Sequence, residues 1–175
     1  MNNKKLTKIF IVEDNKTFTA ALRADIESSF YNEPIAIFSY LTGEACIADF
    51  KKEKPQIVLL DYHLNTKEPD AANGLAVLDW IKKENNSTFV VMLTSEDDID
   101  IALKSFKHGA CDYVVKSATL FRKVFYSLFN IIKIMEAKRE AKRYRYIAIG
   151  VILCIALLVG GVIAVSIFSP VLIVN

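Results

Sequence analysis

Residues 147–168 run for 22 positions without one charged side chain, and nearly all of them are apolar. At about 1.5 Å of rise per residue, a helix of that length spans roughly 33 Å, enough to cross a hydrocarbon core of ~30 Å. A buried helix of a soluble domain rarely runs so long without a charge. The run therefore predicts a single transmembrane helix over 147–168, followed by a short tail, 169–175. It also accounts for the composition. Hydrophobic residues make up 53% of the chain, high for a soluble domain, and the excess is concentrated here.

Charge is distributed just as unevenly. Residues 130–146 hold Lys133, Lys138, Arg139, Lys142, Arg143 and Arg145 against Glu136 and Glu140, a net +4. The rest of the chain then carries 16 basic and 18 acidic residues, about −2. The pattern predicts a mildly acidic domain over 1–130, a basic juxtamembrane helix extension over 131–146, and then the span. A collar of Lys and Arg beside a span favours the cytoplasmic side of a membrane. It also suits contact with anionic lipid head groups. Its place immediately before the span argues against nucleic acid as the partner. Residues 1–8 are polar and the apolar stretch 9–12 is too short for a signal-peptide core. The expected location is thus the inner (cytoplasmic) membrane, single-pass, with the large domain in the cytoplasm. Cys46, Cys111 and Cys154 have no metal-ligand spacing and read as reduced packing residues.

Residues 8–116 alternate between short β-rich runs and longer helical patterns. The strand candidates are 8–12, 35–39, 56–60, 89–93 and 112–115. Helical patterns cover about 16–29, 43–52, 74–84 and 97–108, with a fifth beyond. Several strands are continuous apolar runs, as expected when both faces of a parallel sheet are covered. Five strands alternating with five helices predict a doubly wound α/β domain. Such a sheet carries its ligand site at the carboxyl ends of its strands.

Those ends carry a consistent polar set. Glu13 and Asp14 follow the first strand, Asp61 ends the third, Thr94 and Ser95 end the fourth, and Lys116 follows the fifth. Any one of these is unremarkable, because polar residues commonly end strands and cap helices. Together they bring three acids, a hydroxyl and a lysine to one sheet edge. Clustered carboxylates repel one another unless a cation is present, and hard oxygen ligands with room for water suit Mg²⁺. A carboxylate can also attack a phosphoryl group, giving an acyl phosphate. A metal and a lysine supply the charge neutralisation that phosphoryl transfer needs.

The runs IFIVEDN, IVLLDYHL, VVMLTSE and DYVVK resemble the receiver domains of bacterial two-component response regulators. The resemblance covers roughly residues 6–130. It implies a flavodoxin-like, five-stranded parallel sheet of order 2-1-3-4-5. It implies Asp61 as phosphoacceptor and Glu13 and Asp14 as the acidic pair that holds Mg²⁺ with Asp61. His63, two residues on, would offer its backbone carbonyl to the metal. Thr94 would be the switch hydroxyl, Lys116 the partner of the phosphoryl group and Tyr113 the aromatic switch. The phosphoryl donor would be a histidine kinase or a phosphotransfer protein. A domain of this kind is a switch and not an enzyme, beyond its own phosphorylation and dephosphorylation.

The sequence departs from the family pattern in three places. Leu64-Asn65 stands where the family has Met-Pro or Leu-Pro. Gly74 comes late, which lengthens the loop 65–73. Ser117 follows the lysine where the family tends to place a proline with a cis bond. No departure removes a reacting group. His63 reads as a loop histidine whose backbone does the work, although its side chain could gate water attack on the acyl phosphate.

No DNA-binding motif or second enzyme domain is recognisable, and the fifth helix is expected to run on through the collar. Phe121, Phe125, Leu128, Ile132 and Met135 recur at heptad-like spacing. Leu120, Val124, Ile131 and Ile134 populate a neighbouring face. Either both stripes cover the sheet, or one meets a partner such as a second copy of the chain. Ala156, Gly160 and Ala164 form a row of small residues that would let two spans approach closely in a homodimer. The competing readings are a receiver-fold scaffold that works without phosphorylation and an aspartyl-phosphate phosphatase. The second lacks its general acid, because His63 occupies the position two after Asp61.

Overall fold

The computed structural model describes residues 5–64, 72–95 and 99–168. The chain divides into two units, Met1–Phe129 and Asn130–Asn175. The first is an α/β unit with strands β1 (Thr7–Val12), β2 (Ile35–Tyr40), β3 (Ile57–Asp61), β4 (Phe89–Thr94) and β5 (Asp112–Val115). Between them lie helices α1 (Lys16–Ser29), α2 (Gly43–Glu53), α3 (Gly74–Glu84) and α4 (Ile99–Lys107). Helix α5 (Leu120–Phe168) begins in this unit and makes up the described part of the second. The strands form one parallel sheet in the order β2-β1-β3-β4-β5, as the resemblance implied.

The apolar runs become strands because both faces of the sheet are covered. Every residue of β3 is buried. Alternation along the strands sends Phe10, Val12, Val58, Leu60, Val90 and Met92 into one cluster with Phe50, Leu78 and Ile81 from α2 and α3. Ile9, Ile11, Ile57, Leu59, Val91 and Leu93 alternate with them and are equally buried. Burying side chains of this size contributes roughly 1.5–3 kcal/mol each.

Helix starts follow local capping chemistry. The Asn15 side chain accepts the amides of Thr17 and Phe18, and Thr42 accepts that of Ala45. Asn73 accepts the amide of Ala76 at the head of α3. Helix α2 stops at Lys54, which adopts φ 51° while its amide closes onto the Phe50 carbonyl.

Three expectations need correction or limits. Of the cysteines only Cys46 is a buried packing residue; Cys111 and Cys154 are exposed, and all three are free thiols. The two stripes proposed on the fifth helix do not separate. Leu120, Val124 and Ile131 from one stripe and Leu128, Ile132 and Met135 from the other are buried, whereas Phe121 and Ile134 are exposed. The buried arc straddles both rows, which an apolar periodicity alone does not resolve. Most of the lengthened loop 65–73 and the tail 169–175 lie outside the described residues.

In the second unit every described side chain from Lys142 to Val165 is exposed. The helix Leu120–Val165 is long and apolar enough, by length and composition, to cross a membrane.

Candidate functional site

The sheet order decides which strand ends meet. Strand β1 lies beside β3, with Val12 level with Leu60, so the residues that follow each emerge together. Glu13 continues from β1, its amide donating to the Tyr40 carbonyl at 3.0 Å. Its side chain is only 2% exposed, as is Asp61 at the end of β3. Glu13, Asp14 and Asp61 each present a carboxylate oxygen within 4.8 Å of the others. Among the described residues no other cluster of three potential metal ligands occurs.

From the far side of the sheet comes Lys116. Its backbone amide donates to the Thr94 carbonyl at 2.6 Å, which ties the end of β5 to the end of β4. Its ammonium donates to Glu13 Oε2 at 2.7 Å and lies 2.9 Å from Asp61 Oδ2. The lysine side chain is itself 16% exposed, so the two ion pairs are screened little by solvent. Burial raises the Glu13 carboxyl above its ordinary 4.5. The Lys116 hydrogen bond opposes that rise, and the neighbouring Asp61 charge adds to it.

One lysine is shared by two buried carboxylates, so the site lacks cation charge. Asp61 Oδ1 is buried and accepts no hydrogen bond among the described residues. A buried carboxylate oxygen left in this way is costly. Three oxygen donors with one uncommitted oxygen among them fit a hard divalent cation such as Mg²⁺. Glu13, Asp14 and Asp61 are the residues that would hold it.

The remaining candidates are placed as follows. Thr94 ends β4 and is fully buried, one position beyond Leu93, the partner of Asp61 across the sheet. Tyr113 sits on β5 opposite Met92 and packs, partly buried, against the core cluster. His63 lies just past β3, half-buried, with its ring edge-on to Tyr62 at 4.8 Å. Among the described residues no peptide bond is cis, so the chain leaves Lys116 for Ser117 in the trans form, without the family's cis proline. Instead the Ser117 amide folds back onto the Val115 carbonyl at 2.9 Å.

Two contacts escaped the reading of the sequence. Phe18, in the first turn of α1, places its ring 4.8 Å from the Lys116 ammonium. Gly74 approaches the backbone of Asp61 and Tyr62 so closely that a Cβ there would meet the Asp61 carbonyl oxygen. The late glycine was visible in the sequence; its contact was not.

Comparison with known proteins agrees with this geometry. The chain is 28% identical over 108 residues to the nitrogen assimilation regulatory protein NtrX of Azorhizobium caulinodans, covering 62% of this chain and 22% of that protein. It is 30% identical over 108 residues to the regulatory protein LuxO of Vibrio cholerae, covering 61% of this chain and 21% of that one. The chain thus matches about a fifth of the length of these relatives. Among solved structures, the signal receiver domain of a LuxO repressor protein from Vibrio parahaemolyticus superposes with a TM-score of 0.65 at 26% identity. That match covers 77% of this chain and 96% of the other. A family model described as the response regulator receiver domain matches residues 9–123, the stretch that contains every strand end but that of Thr7 and every acid of the cluster. With sheet order, acidic cluster and lysine all in agreement, the chain belongs to the response regulator receiver domain family.

Proposed function

We propose that this chain is a membrane-anchored receiver that accepts a phosphoryl group on Asp61 and passes the signal on through a protein-interaction surface. The observation that carries the reading is Lys116. Its ammonium spans Glu13 and Asp61, while the second Asp61 oxygen has no hydrogen-bond partner among the described residues. The carboxylate is thus held through one oxygen and backed by one positive charge, while its other oxygen is left uncommitted.

The donor is a phosphohistidine of a histidine kinase or phosphotransfer protein. Its P–N bond breaks, an Asp61 oxygen forms the new P–O bond, and the imidazole nitrogen leaves with the electron pair. Lys116 exchanges its Asp61 contact for a phosphoryl oxygen, and Thr94 donates its hydroxyl to another. When bound, Mg²⁺ supplies charge neutralisation for the carboxylates and the incoming phosphoryl oxygens. Tyr113, at the edge of the core cluster on β5, responds to the movement of Thr94. The family name fits this reading, as does the absence of a general acid two residues after Asp61, where His63 stands. The protein is a switch, not a turnover enzyme.

The second half of the proposal concerns place. The span 147–168 inserts as a single helix, and the collar holds the receiver on the cytoplasmic side against anionic head groups. Supporting it are the exposed apolar side chains of 147–165 and their freedom from charge. Confinement to a surface raises the effective concentration of the switch near membrane partners, including a second copy of the chain.

The test is phosphoryl labelling of the full chain in detergent with acetyl phosphate or phosphoramidate, read by intact mass. An adduct that needs both Mg²⁺ and Asp61, and disappears in Asp61→Asn, is expected. No adduct would favour a phosphorylation-independent scaffold, provided the chain is folded, binds Mg²⁺ and also fails to bind beryllofluoride, a non-hydrolysable phosphoryl mimic that would reveal a competent site whose adduct is lost to fast hydrolysis.

A further inference from the structure

Around Lys116 the contacts close into a ring. Glu13 Oε2 accepts the Lys116 ammonium at 2.7 Å, and Glu13 Oε1 accepts the Asn15 amide at 3.2 Å. Asn15 Oδ1, as the cap of α1, accepts the Phe18 amide at 3.1 Å. Phe18 then returns to the start, its ring 4.8 Å from the same ammonium. The carboxylate that pairs with the lysine therefore also anchors the cap that places the aromatic ring.

We infer that Phe18 is a positioning residue of the phosphoryl site, whose ring face holds the Lys116 ammonium on Asp61 and keeps water from its open side. The inference rests on the phosphoacceptor role proposed for Asp61. Two carboxylates and one ring lie against the ammonium. A lysine side chain has four rotatable bonds and a strongly hydrated head, so ion pairs alone hold it loosely. The negative face of a phenyl ring attracts a cation within about 6 Å of its centre, more strongly where water is excluded. Phe18 is only half-buried and lies outside the fully buried core, so its ring is not required to fill the interior. Its position in the first turn of a capped helix gives it little freedom to move away.

Leucine at this position keeps an apolar side chain but removes the ring face, whereas tyrosine and tryptophan keep it. In the full chain, Phe18→Leu is expected to slow Asp61 phosphorylation by saturating acetyl phosphate roughly threefold to tenfold. Phe18→Tyr and Phe18→Trp should stay within about twofold of the unaltered chain on the same scale.

A second readout separates positioning from folding. In chain labelled with ¹³Cε-lysine, the Lys116 ε-resonance, identified by its loss in Lys116→Arg, should lie upfield through the ring current. It should move to the exposed-lysine position in Phe18→Leu and remain upfield in Phe18→Tyr. A Lys116 resonance that ignores Phe18→Leu overturns the inference. So does a lost ring shift with an unchanged rate, or a slowed Phe18→Leu that the aromatic variants fail to rescue. An unaltered chain that forms no adduct overturns the phosphoacceptor reading, while the ε-resonance still reports whether the ring holds the lysine.

Discussion

The amide of Gly74 donates to the carbonyl of Tyr62 at 3.0 Å, so the first residue of α3 is fastened to the residue after the phosphoacceptor candidate. A Cβ at Gly74 would lie 2.7 Å from the Tyr62 Cα and would also meet the Asp61 carbonyl oxygen. Elsewhere in a helix alanine is the better residue by about 1 kcal/mol. Here the steric conflict should win, since overpacking costs about 1–3 kcal/mol. Gly74→Ala is therefore expected to lower Tm by a few degrees, at roughly 2–4 °C per kcal/mol for a chain of this size. It should also slow Asp61 labelling by displacing the Asp61 backbone. A melting temperature equal to or above that of the parent would refute the close approach.

Glu13 makes stability depend on pH in a stated direction. Its folded carboxyl titrates above 4.5 because burial outweighs the Lys116 hydrogen bond. The folded state thus binds this proton more tightly than the unfolded chain. Its contribution to stability is complete below the unfolded value and is lost as pH rises through the raised folded value. In chelator, Glu13→Gln should gain in Tm relative to the parent as pH rises above the ordinary 4.5, with the gain levelling off above the folded value. A difference that stays constant across that rise would show that Glu13 is not the group responsible.

Cysteine reactivity separates a membrane span from an exposed soluble helix. Burial pushes the Cys46 thiol up to about 12, so it carries almost no thiolate at neutral pH. Cys154 is exposed on α5. In a Cys111→Ser background inserted in lipid vesicles, a charged maleimide should modify neither Cys46 nor Cys154 until detergent or denaturant is added. Rapid labelling of Cys154 in intact vesicles would place residues 147–168 in water.

The collar should control orientation. Changing Lys138, Arg139, Lys142, Arg143 and Arg145 to Gln removes five of its cations and leaves Glu136 and Glu140. Protease digestion of spheroplasts should then find a fraction of receiver domains on the outer face, where the parent shows none. Uniform protection of the variant would assign orientation to something other than the collar.

Much of this site was legible because each of its groups stands at the end of a strand that its own sequence declares. Glu13, Asp14, Asp61, Thr94 and Lys116 each follow an apolar run, and a parallel sheet exposes all its carboxyl ends along one edge. The long apolar helix was legible for a similar reason: its length and lack of charge are properties of the sequence alone. Helix α5 was less so, because a broad apolar surface offers two overlapping stripes and burial is set by what packs against it.

What the tertiary structure alone decided are the contacts between residues far apart in the chain. Placing β1 beside β3 brings Glu13 to the Asp61 side, and Lys116 reaches Glu13 across 103 residues of sequence and Asp61 across 55. That placement shares one cation between two buried carboxylates and leaves Asp61 Oδ1 without a hydrogen bond among the described residues. Phe18 and Gly74 gain their roles in the same way. A phenylalanine in a first helical turn and a glycine at a helix start are ordinary in sequence. They become particular only when folding sets one over the Lys116 ammonium and the other against the backbone of Asp61. Periodicity reports which face of an element is apolar, but distances between elements depend on how the packed layers meet.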